Sequence, residues 1–264
     1  MTGEAHLPFD GKVAVITGST MGIGLAIAQE LTSKGARVVV NGRDPDRGRK
    51  AVESLTHPDR ASFLSSDITT SAGVDALFDF AVERHGQVDV AVLNAGGVEQ
   101  PAPIVDMTDE EWDLEIAWIL SHVFWGIRRA MRLMVPRGAG RIIAISSKQG
   151  KVARAGAAGY AAAKHGVNGL VKAAAIEAGP HGITVNALCP GSVLTDMKVV
   201  RGTIAAEMRG ITLDELLAGQ KEEAAIKRLV TPEEVASLCA YVASDAAGAI
   251  TGALLNVDGG VAPY

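Results

Sequence analysis

The sequence predicts an α/β protein built on a doubly wound parallel sheet of about seven strands. Short runs rich in β-branched residues alternate with longer segments of helical character, and this alternation is typical of right-handed βαβ units. Several of the short runs are apolar without alternation, as expected for strands that are covered on both faces. The predicted strands lie at residues 13–16, 37–40, 61–64, 88–93, 141–145, 183–188 and 253–257.

Five segments between these strands have helical character, and one further region breaks the alternation. The helices are predicted at residues 24–34, 71–85, 110–134, 160–178 and 232–243. Between residues 188 and 232 the chain carries apolar residues at the spacing of one or two short amphipathic helices, namely Met197, Met208, Leu213, Leu216 and Leu217. An insertion after the carboxyl end of a strand lies over the ligand crevice of such a fold. We expect a helical lid over about residues 197–230, with a solvated structural excursion as the alternative.

Length and composition fit one globular domain over residues 1–264. Folds of this class with roughly 200–250 residues often form one domain, and no Pro-, Gly- or Ser-rich linker divides this chain. Apolar residues make up 48% and charged residues 21%, which is typical of a globular protein. A net charge of −5 and an aromatic content of 4% argue against a nucleic acid partner, because neither a basic surface nor a base-stacking surface is available.

The sequence also argues against a secreted, membrane-bound or metal-binding protein. The first residues lack a basic region followed by an apolar one, and the apolar stretch 246–257 is shorter than the ~20 residues of a membrane-spanning helix. Cys189 and Cys239 form neither a disulfide framework nor a zinc-binding pair, and the histidines show no metal-ligand spacing. We expect a cytoplasmic protein without a metal site or a membrane partner.

A glycine-rich segment follows the first predicted strand and leads directly into a helix. Such a turn lets the backbone approach a pyrophosphate, which the N–H groups and dipole of the helix N-terminus then bind. Its spacing is G-x-x-x-G-x-G, and its position in the first strand–helix turn is the context that nucleotide binding requires. A nucleophile elbow would need a serine at position 20, and a P-loop would need a following Lys-Ser/Thr. The candidate cofactor-binding residues are Gly18, Thr20, Met21, Gly22, Ile23 and Gly24.

The end of the second predicted strand indicates which nicotinamide cofactor is used. An acidic residue near this point would bind the ribose 2′-OH of NAD, but the sequence has Gly42 and then Arg43. An arginine pairs bidentately with a phosphate, so Arg43 favours NADP, with NAD still possible. The alternatives are a surface arginine without a ligand and a weaker preference caused by the neighbouring Asp44.

A tyrosine and a lysine share one face of the predicted helix 160–178. Tyr160 and Lys164 are four residues apart, which places them on the same side. A phenol has a pKa of about 10, and a neighbouring ammonium lowers that pKa towards the range in which proton transfer is effective. Taken alone, this pair occurs by chance in many helices, so the assignment needs further support.

That support comes from motifs which together resemble the short-chain dehydrogenase/reductases. The motifs occur in the order and spacing of the single-domain subclass, and the resemblance extends from residue 12 to residue 260. They lie at residues 17–24, 94–96, 147, 160–164 and 190–195. The resemblance implies a Rossmann-type fold, a nicotinamide cofactor and hydride transfer between an alcohol and a carbonyl group.

The resemblance also implies roles for individual residues. Tyr160 would be the acid/base, Ser147 would orient and polarise the substrate oxygen, and Lys164 would bind the nicotinamide ribose and lower the pKa of the tyrosine. Ser147 is preferred to Ser146 because it lies 13 positions before the tyrosine. Residues 257–260 resemble a segment beside a common tetramer interface. Together with the apolar stretch 246–257, which is alternatively a buried strand, this resemblance predicts a homotetramer. Besides Tyr160 and Lys164, the implied cofactor contacts are Asp67, Ile68, Asn94, Ala95, Gly96, Pro190, Gly191, Val193 and Thr195.

One position departs from the family pattern. Seven residues after the tryptophan of a Trp-Asp pair, the family carries an asparagine that helps to hold a water in a proton relay from the lysine to solvent. Here that tryptophan is Trp112 and the position is Ile119, which cannot form side-chain hydrogen bonds. The departure supports an alternative function, a cofactor-binding protein of the same fold with weak or no turnover.

Several polar residues are expected at the rim of the pocket, and they hint at a polar or anionic substrate. They are Glu99, Gln100, Lys148, Gln149 and Arg154. Surface residues without a role would look the same, so the substrate stays open among secondary alcohols and ketones. The favoured function is an oxidoreductase that uses NADP(H), or NAD(H), on a small alcohol or ketone.

Overall fold

The computed structural model describes residues 7–97, 102–207 and 209–262, and its centre is one parallel sheet of seven strands. The strands are β1 (Val13–Ile16), β2 (Arg37–Gly42), β3 (Ala61–Ser65), β4 (Val90–Leu93), β5 (Gly140–Ile145), β6 (Ile183–Pro190) and β7 (Leu254–Val257). Their order across the sheet is β3-β2-β1-β4-β5-β6-β7, and every neighbouring pair is parallel. The predicted doubly wound sheet is confirmed.

Nine α-helices connect or follow these strands in the described part of the chain. They are α1 (Gly22–Ser33), α2 (Pro45–Glu53), α3 (Ser71–His85), α4 (Asp109–Glu115), α5 (His122–Met134), α6 (Ala158–Ala178), α7 (Asp196–Glu207), α8 (Leu213–Glu223) and α9 (Pro232–Ala243). Helix α2 was not among the predicted helices, because only Gly48 and Ala51 of it are buried and the sequence shows no apolar periodicity there.

The predicted helix 110–134 contains an irregular segment. A π-helical stretch, Ile116–Ser121, separates α4 from α5. π-Helical segments inside helices are rare and frequently occur at functional sites. The stretch includes Ile119, the position at which the sequence departs from its family.

Two apolar layers cover the two faces of the sheet. On one face α3, α5 and α6 pack against side chains such as Val15 and Ile142. On the other face α1, α2 and α9 pack against side chains such as Ile16 and Ile143. Successive strand residues point to opposite faces, so strands buried on both sides must be apolar throughout. The burial of every residue of β1, β4 and β6 agrees with this requirement.

The sheet order reverses between β1 and β4, and this position defines a crevice at the carboxyl ends of the strands. Predicted strand 88–93 begins only at Val90. The Asp89 carboxylate before it accepts the backbone N–H of Val13, at 2.8 Å, and pairs with Arg137. Helices α7 and α8 follow β6 and correspond to the predicted lid segment, of which Met208 lies outside the described residues. None of the helices described is long and apolar enough to cross a membrane.

Candidate active site

The glycine-rich turn after β1 has the geometry of a cradle for a phosphate group. Gly18 has a φ of +59°, and a Cβ at this position would lie 2.9 Å from the Cβ of Ala95. A Cβ at Gly24 would lie 2.6 Å from the carbonyl oxygen of Gly18, so both positions require glycine. Helix α1 begins at Gly22 without a side-chain cap at Met21 and without an acidic residue in its first turn. Its N–H groups are therefore available to an anion, which fits the pyrophosphate of a dinucleotide.

A network of hydrogen bonds joins this turn to the end of β4. The Thr17 hydroxyl accepts the N–H groups of Asn94, at 2.9 Å, and Ala95, at 3.1 Å. The Asn94 amide donates to the carbonyl oxygens of Thr17 and Gly18, at 3.0 and 2.9 Å. Residues 94–96 thus lie against the glycine-rich turn and stabilise it, next to the place predicted for the cofactor.

His122 completes this network, and the sequence did not identify it. Because both acceptor sites of the Thr17 hydroxyl are used, its proton is left to donate to Nε2 of the fully buried His122, at 3.4 Å. Burial lowers the pKa of His122 to about 3, and the charge of Lys164 acts in the same direction. The imidazole is therefore neutral at physiological pH. Threonine and histidine lie 105 positions apart, so no local pattern could have predicted this contact.

Cations flank the end of β2, where the adenosine part of a dinucleotide would lie. Arg43 is exposed, and its charge lowers the pKa of Asp67, although the hydrogen bonds from Thr69 contribute more. Asp44 caps α2 by accepting the N–H groups of Asp46 and Arg47, so its carboxylate is turned to the helix.

Arg47 is a second residue that the sequence analysis missed. Its guanidinium lies 3.9 Å from the sulfur of Met21, beside the glycine-rich turn. A signal was present, because Arg43 and Arg47 are four residues apart around the start of a helix. Shortly after β3, Asp67 is exposed and Ile68 is buried.

The predicted catalytic side chains meet where β5 ends and α6 begins. The Ser147 hydroxyl accepts the N–H of Gln149 at 3.1 Å and lies close enough to Tyr160 to lower the pKa of its phenol. Nζ of Lys164 lies 5.7 Å from the centre of the Tyr160 ring and donates to the carbonyl oxygen of Ile145 at 2.6 Å. Ser146 is buried and donates to the backbone of Lys164 at 3.5 Å, so it joins β5 to α6.

The pKa of Tyr160 differs from the expectation. Burial raises this pKa above its usual value near 10, and the Ser147 hydrogen bond and the charge of Arg154 offset only part of the effect. Burial also lowers the pKa of Lys164 to about 8. The predicted lowering by Lys164 is not found in this arrangement, in which the lysine ammonium donates to the Ile145 carbonyl and lies 5.7 Å from the centre of the ring.

Ile119 occupies the place that the resemblance assigns to the relay asparagine. It is completely buried, and a Cβ at Gly96 would lie 3.4 Å from its Cγ1 and 3.6 Å from Nζ of Lys164. The apolar side chain therefore packs close to the lysine ammonium.

The segment after β6 returns to the glycine-rich turn. Gly191 donates its N–H to the Val257 carbonyl, at 3.0 Å, directly after Pro190 ends the strand. Val193 pairs with Val230, which joins the two ends of the lid segment. A Cβ at Gly22 would lie 3.4 Å from the methyl group of Thr195, so this segment closes against the start of α1.

Other predicted residues are placed as follows. Lys148, Gln149 and Arg154 lie beside the catalytic residues, whereas Glu99 and Gln100 lie outside the described residues. Cys189 is buried, and burial raises the pKa of its thiol. Within residues 7–97, 102–207 and 209–262, no three His, Cys, Asp or Glu side chains are grouped as a metal site would require.

Comparisons with known proteins agree with this arrangement. A family model described as enoyl-(acyl carrier protein) reductase matches residues 18–262. A D-β-hydroxybutyrate dehydrogenase of Rhizobium meliloti is 41% identical over 94% of this chain and 98% of its own length. A 3β-hydroxysteroid dehydrogenase of Mediterraneibacter gnavus is 36% identical over 97% and 96%.

A solved structure extends the comparison to three dimensions. A variant of the actinorhodin polyketide ketoreductase, crystallised with NADPH, superimposes with a TM-score of 0.91 and 37% identity over 96% of this chain and 98% of that one. The chain belongs to the short-chain dehydrogenase/reductase family and is an oxidoreductase.

Proposed function

We propose that the protein transfers a hydride between NADP(H), in preference to NAD(H), and a small secondary alcohol or ketone. The observation that carries this proposal is the grouping of Ser147, Tyr160 and Lys164 beside a dinucleotide cradle. Ser147 lies close enough to Tyr160 to lower the pKa of its phenol, and Nζ of Lys164 lies 5.7 Å from the centre of the tyrosine ring. The bound nicotinamide would supply or accept the hydride.

Tyr160 is the proton donor in the direction of carbonyl reduction. Because burial raises its pKa, the phenol is protonated at neutral pH and holds the proton that the substrate oxygen must gain. The Ser147 hydroxyl accepts the Gln149 N–H and keeps its own proton for donation to the same oxygen. Two donors at one oxygen stabilise the negative charge that develops there.

Lys164 supports this chemistry from a position 5.7 Å from the centre of the Tyr160 ring. Its ammonium is anchored by the Ile145 carbonyl, so its position is fixed before any ligand binds. We assign to it the nicotinamide ribose, as the family resemblance implies. The cofactor contacts named above, from the glycine-rich turn to Thr195, line the same edge of the sheet.

The preference for NADP(H) rests on the end of β2. Arg43 and Arg47 are two exposed cations beside the place of the adenosine ribose, and a 2′-phosphate would pair with them. The carboxylate of Asp44, which could repel that phosphate, accepts the backbone N–H groups of Asp46 and Arg47 with one oxygen, and its other oxygen lies 3.9 Å from the Arg47 guanidinium. The relative crystallised with NADPH agrees with this preference.

Helices α7 and α8 act as the lid of the site. They follow β6, and their two ends are joined by the Val193–Val230 pairing, so the segment leaves and re-enters the fold at one point. Thr195 lies against Gly22 at the start of this segment. Closure over a bound ligand would exclude water from the reacting atoms.

The second candidate is a cofactor-binding protein with weak turnover. It is favoured by Ile119, which packs beside Lys164 where a relay asparagine would stand. The intact Ser147, Tyr160 and Lys164 favour the enzyme over this candidate.

A panel of carbonyl compounds and alcohols, offered with NADP(H) and with NAD(H), tests the proposal. The absorbance of the reduced nicotinamide reports turnover in both directions. We expect reduction of at least one ketone class, with a higher kcat/KM for NADPH than for NADH. Tight binding of NADP(H) with no turnover of any compound would support the second candidate instead.

A further inference from the structure

Three cations lie on the two segments that follow the neighbouring strands β5 and β6, beside the active site. Lys148 directly follows the catalytic serine after β5, and Arg154 lies in the loop that leads to Tyr160. Lys198 lies in the first turn of α7, after β6, and its N–H donates to Oγ1 of Thr195 at 3.1 Å. Because β5 and β6 are adjacent and parallel, both segments leave the sheet at the same edge. We call Lys148, Arg154 and Lys198 the cationic cluster.

The members of the cationic cluster are close enough to influence one another. Burial lowers the pKa of Lys198 to about 8, and the charges of Arg154 and Lys148 act in the same direction. The charge of Arg154 also lowers the pKa of Tyr160, so this member of the cluster lies near the catalytic phenol. Holding like charges together costs free energy, and the cost rises where solvent is excluded. A bound anion would therefore stabilise the partly buried Lys198, which lies near two other cations.

Among the described residues, one carboxylate pairs with a member of the cationic cluster. Glu223, at the end of α8, pairs with Lys148 at 3.1 Å and acts against the lowering of the Lys198 pKa. In the part of the chain that the structure describes, no carboxylate lies within 4.0 Å of Arg154 or Lys198. Three cations and one carboxylate leave two formal positive charges, in a chain whose net charge is −5.

The other charges near Tyr160 do not change this balance. Arg201 extends from α7 over the Trp118 ring, at 5.9 Å from its centre, and its charge lowers the pKa of Tyr160. Glu115 is buried, and its charge raises the pKa of Tyr160. These two formal charges cancel, whereas the cationic cluster has an excess.

We propose that the cationic cluster binds a carboxylate of the substrate, so that the protein acts on hydroxy- and oxo-carboxylates rather than on neutral alcohols and ketones. The proposal rests on the function proposed above, because it concerns a subsite of the same active site. Arg154 supplies a planar donor that matches a carboxylate, and Lys198 supplies a point charge from the lid. The anionic group would thus hold α7 over the site when the substrate is bound.

Matched pairs of substrates test the proposal. The 2-, 3- and 4-oxo forms of short-chain carboxylic acids are compared with their methyl esters, which keep the ketone and remove the charge. A charge-assisted contact corresponds to about 10- to 150-fold in affinity. We expect kcat/KM for the best acid to exceed that of its ester by a factor in this range.

Charge-neutral variants connect the preference to the cationic cluster. Arg154→Gln and Lys198→Met should each lower the acid-to-ester ratio of kcat/KM by about tenfold or more. Lys172→Met is the matched control, since it removes an exposed cation of α6 that lies outside the cluster and should keep the wild-type ratio. Circular dichroism and the melting temperature check that each variant is folded.

The outcomes separate this proposal from the one on which it rests. Good turnover of acids and esters at equal kcat/KM would overturn the carboxylate subsite and leave the proposed function standing. Loss of NADP(H) affinity in Arg154→Gln and Lys198→Met, with an unchanged ratio, would assign these cations to the cofactor phosphates and also overturn it. Turnover of no acid, ester or neutral ketone would overturn the proposed function itself.

Discussion

Backbone groups of neighbouring elements hold the catalytic side chains in place. Lys164 is directed by the Ile145 carbonyl, at 2.6 Å, and Ser147 by the N–H of Gln149, at 3.1 Å. Backbone groups at the end of a packed strand move little, so both side chains are fixed without a ligand. Single substitutions at this edge should therefore change the chemistry more than the fold.

Tyr160→Phe removes the proton donor and keeps the packing of the ring. We expect turnover to fall by about 10²- to 10⁴-fold, the range of acid–base catalysis, while the cofactor Kd stays close to the wild-type value. Steady-state kinetics on the best substrate and fluorescence titration of NADPH measure the two effects. Near wild-type turnover would contradict the assignment of Tyr160.

Arg43→Ala should weaken binding of NADP(H) selectively. The loss of one charge-assisted contact predicts a Kd about 10- to 150-fold higher for NADPH and nearly unchanged for NADH. Arg47→Ala is expected to act in the same direction, whereas Arg49→Ala, on the same helix and paired with Asp46, serves as the control. Equal effects on both cofactors would show that the preference has another origin.

Ile119→Asn restores the polar side chain that family members carry at this position. If the chain has lost a water anchor there, turnover should rise and its solvent isotope effect should change, with little change in cofactor affinity. Burying an amide without partners costs about 1–3 kcal/mol, so the melting temperature should fall in either case. Lower stability with unchanged turnover and isotope effect would mean that Ile119 is only a core residue.

At the scale of elements, an irregular helical stretch positions residues of the site, and a capped helix start stabilises the fold around it. The π-helical stretch Ile116–Ser121 brings Ile119 next to Lys164 and ends where His122 turns to Thr17. Helix α9, which packs on the face that carries α1, begins with a capping box formed by Thr231 and Glu234. Its first turn is further bound by an ion pair between Glu234 and Arg228.

Glu234→Gln tests this helix start and its pH dependence. The Arg228 guanidinium, followed by the Thr231 N–H, lowers the pKa of Glu234 to about 2 from an ordinary 4.5. A lowered carboxyl pKa stabilises the fold above pH 4.5, and this contribution is lost as the pH falls towards 2. Because the pair is exposed, we expect the melting temperature to drop by only about 1–3 °C at pH 7.

Near pH 2.5, the melting temperature of Glu234→Gln should differ little from that of the wild type. Glu215→Gln is the matched control, because Glu215 occupies the same place in the capping box of α8 without an arginine partner in that box. Thermal unfolding followed by circular dichroism between pH 7 and pH 2.5 measures both. An equal drop at every pH would show that the ion pair contributes nothing.

At the scale of the whole molecule, the reversal of strand order between β1 and β4 brings the residues of the site together. Residues separated by more than a hundred positions meet there, as Thr17 and His122 do. The apolar stretch 246–257, one basis for predicting an oligomer, contains the half-buried strand β7 at the sheet edge. Exposed apolar side chains on α4, α5 and α6, namely Trp112, Phe124 and Ile176, are further candidates for subunit contacts.

The homotetramer stays a prediction, with light scattering as its test. We expect a mass of about four times the 27.3 kDa of the chain at micromolar concentration. Ile176→Lys, which places a charge on an exposed apolar position, should reduce the assembled fraction if α6 lies in the interface. A mass near 27.3 kDa for the wild type would reject the assembly.

Much of the fold and of the site follows from local sequence. Strand β1 and helix α9 were predicted with the bounds that the structure gives them, because buried parallel strands need continuous apolar runs and helices need capped starts. The glycine-rich turn and the spacing of Tyr160 and Lys164 are likewise local features, so they could be recognised in the sequence. Helix α2 was not, since it buries only Gly48 and Ala51.

Contacts between distant segments were decided only by the tertiary structure. The sequence determined which residues stand at the ends of the strands, because those residues follow directly from apolar runs. It could not determine that His122 binds Thr17, that Arg47 reaches Met21, or that burial raises the pKa of Tyr160. Each of these depends on how closely remote elements approach and on how much water they exclude, and both quantities arise only when the chain is packed.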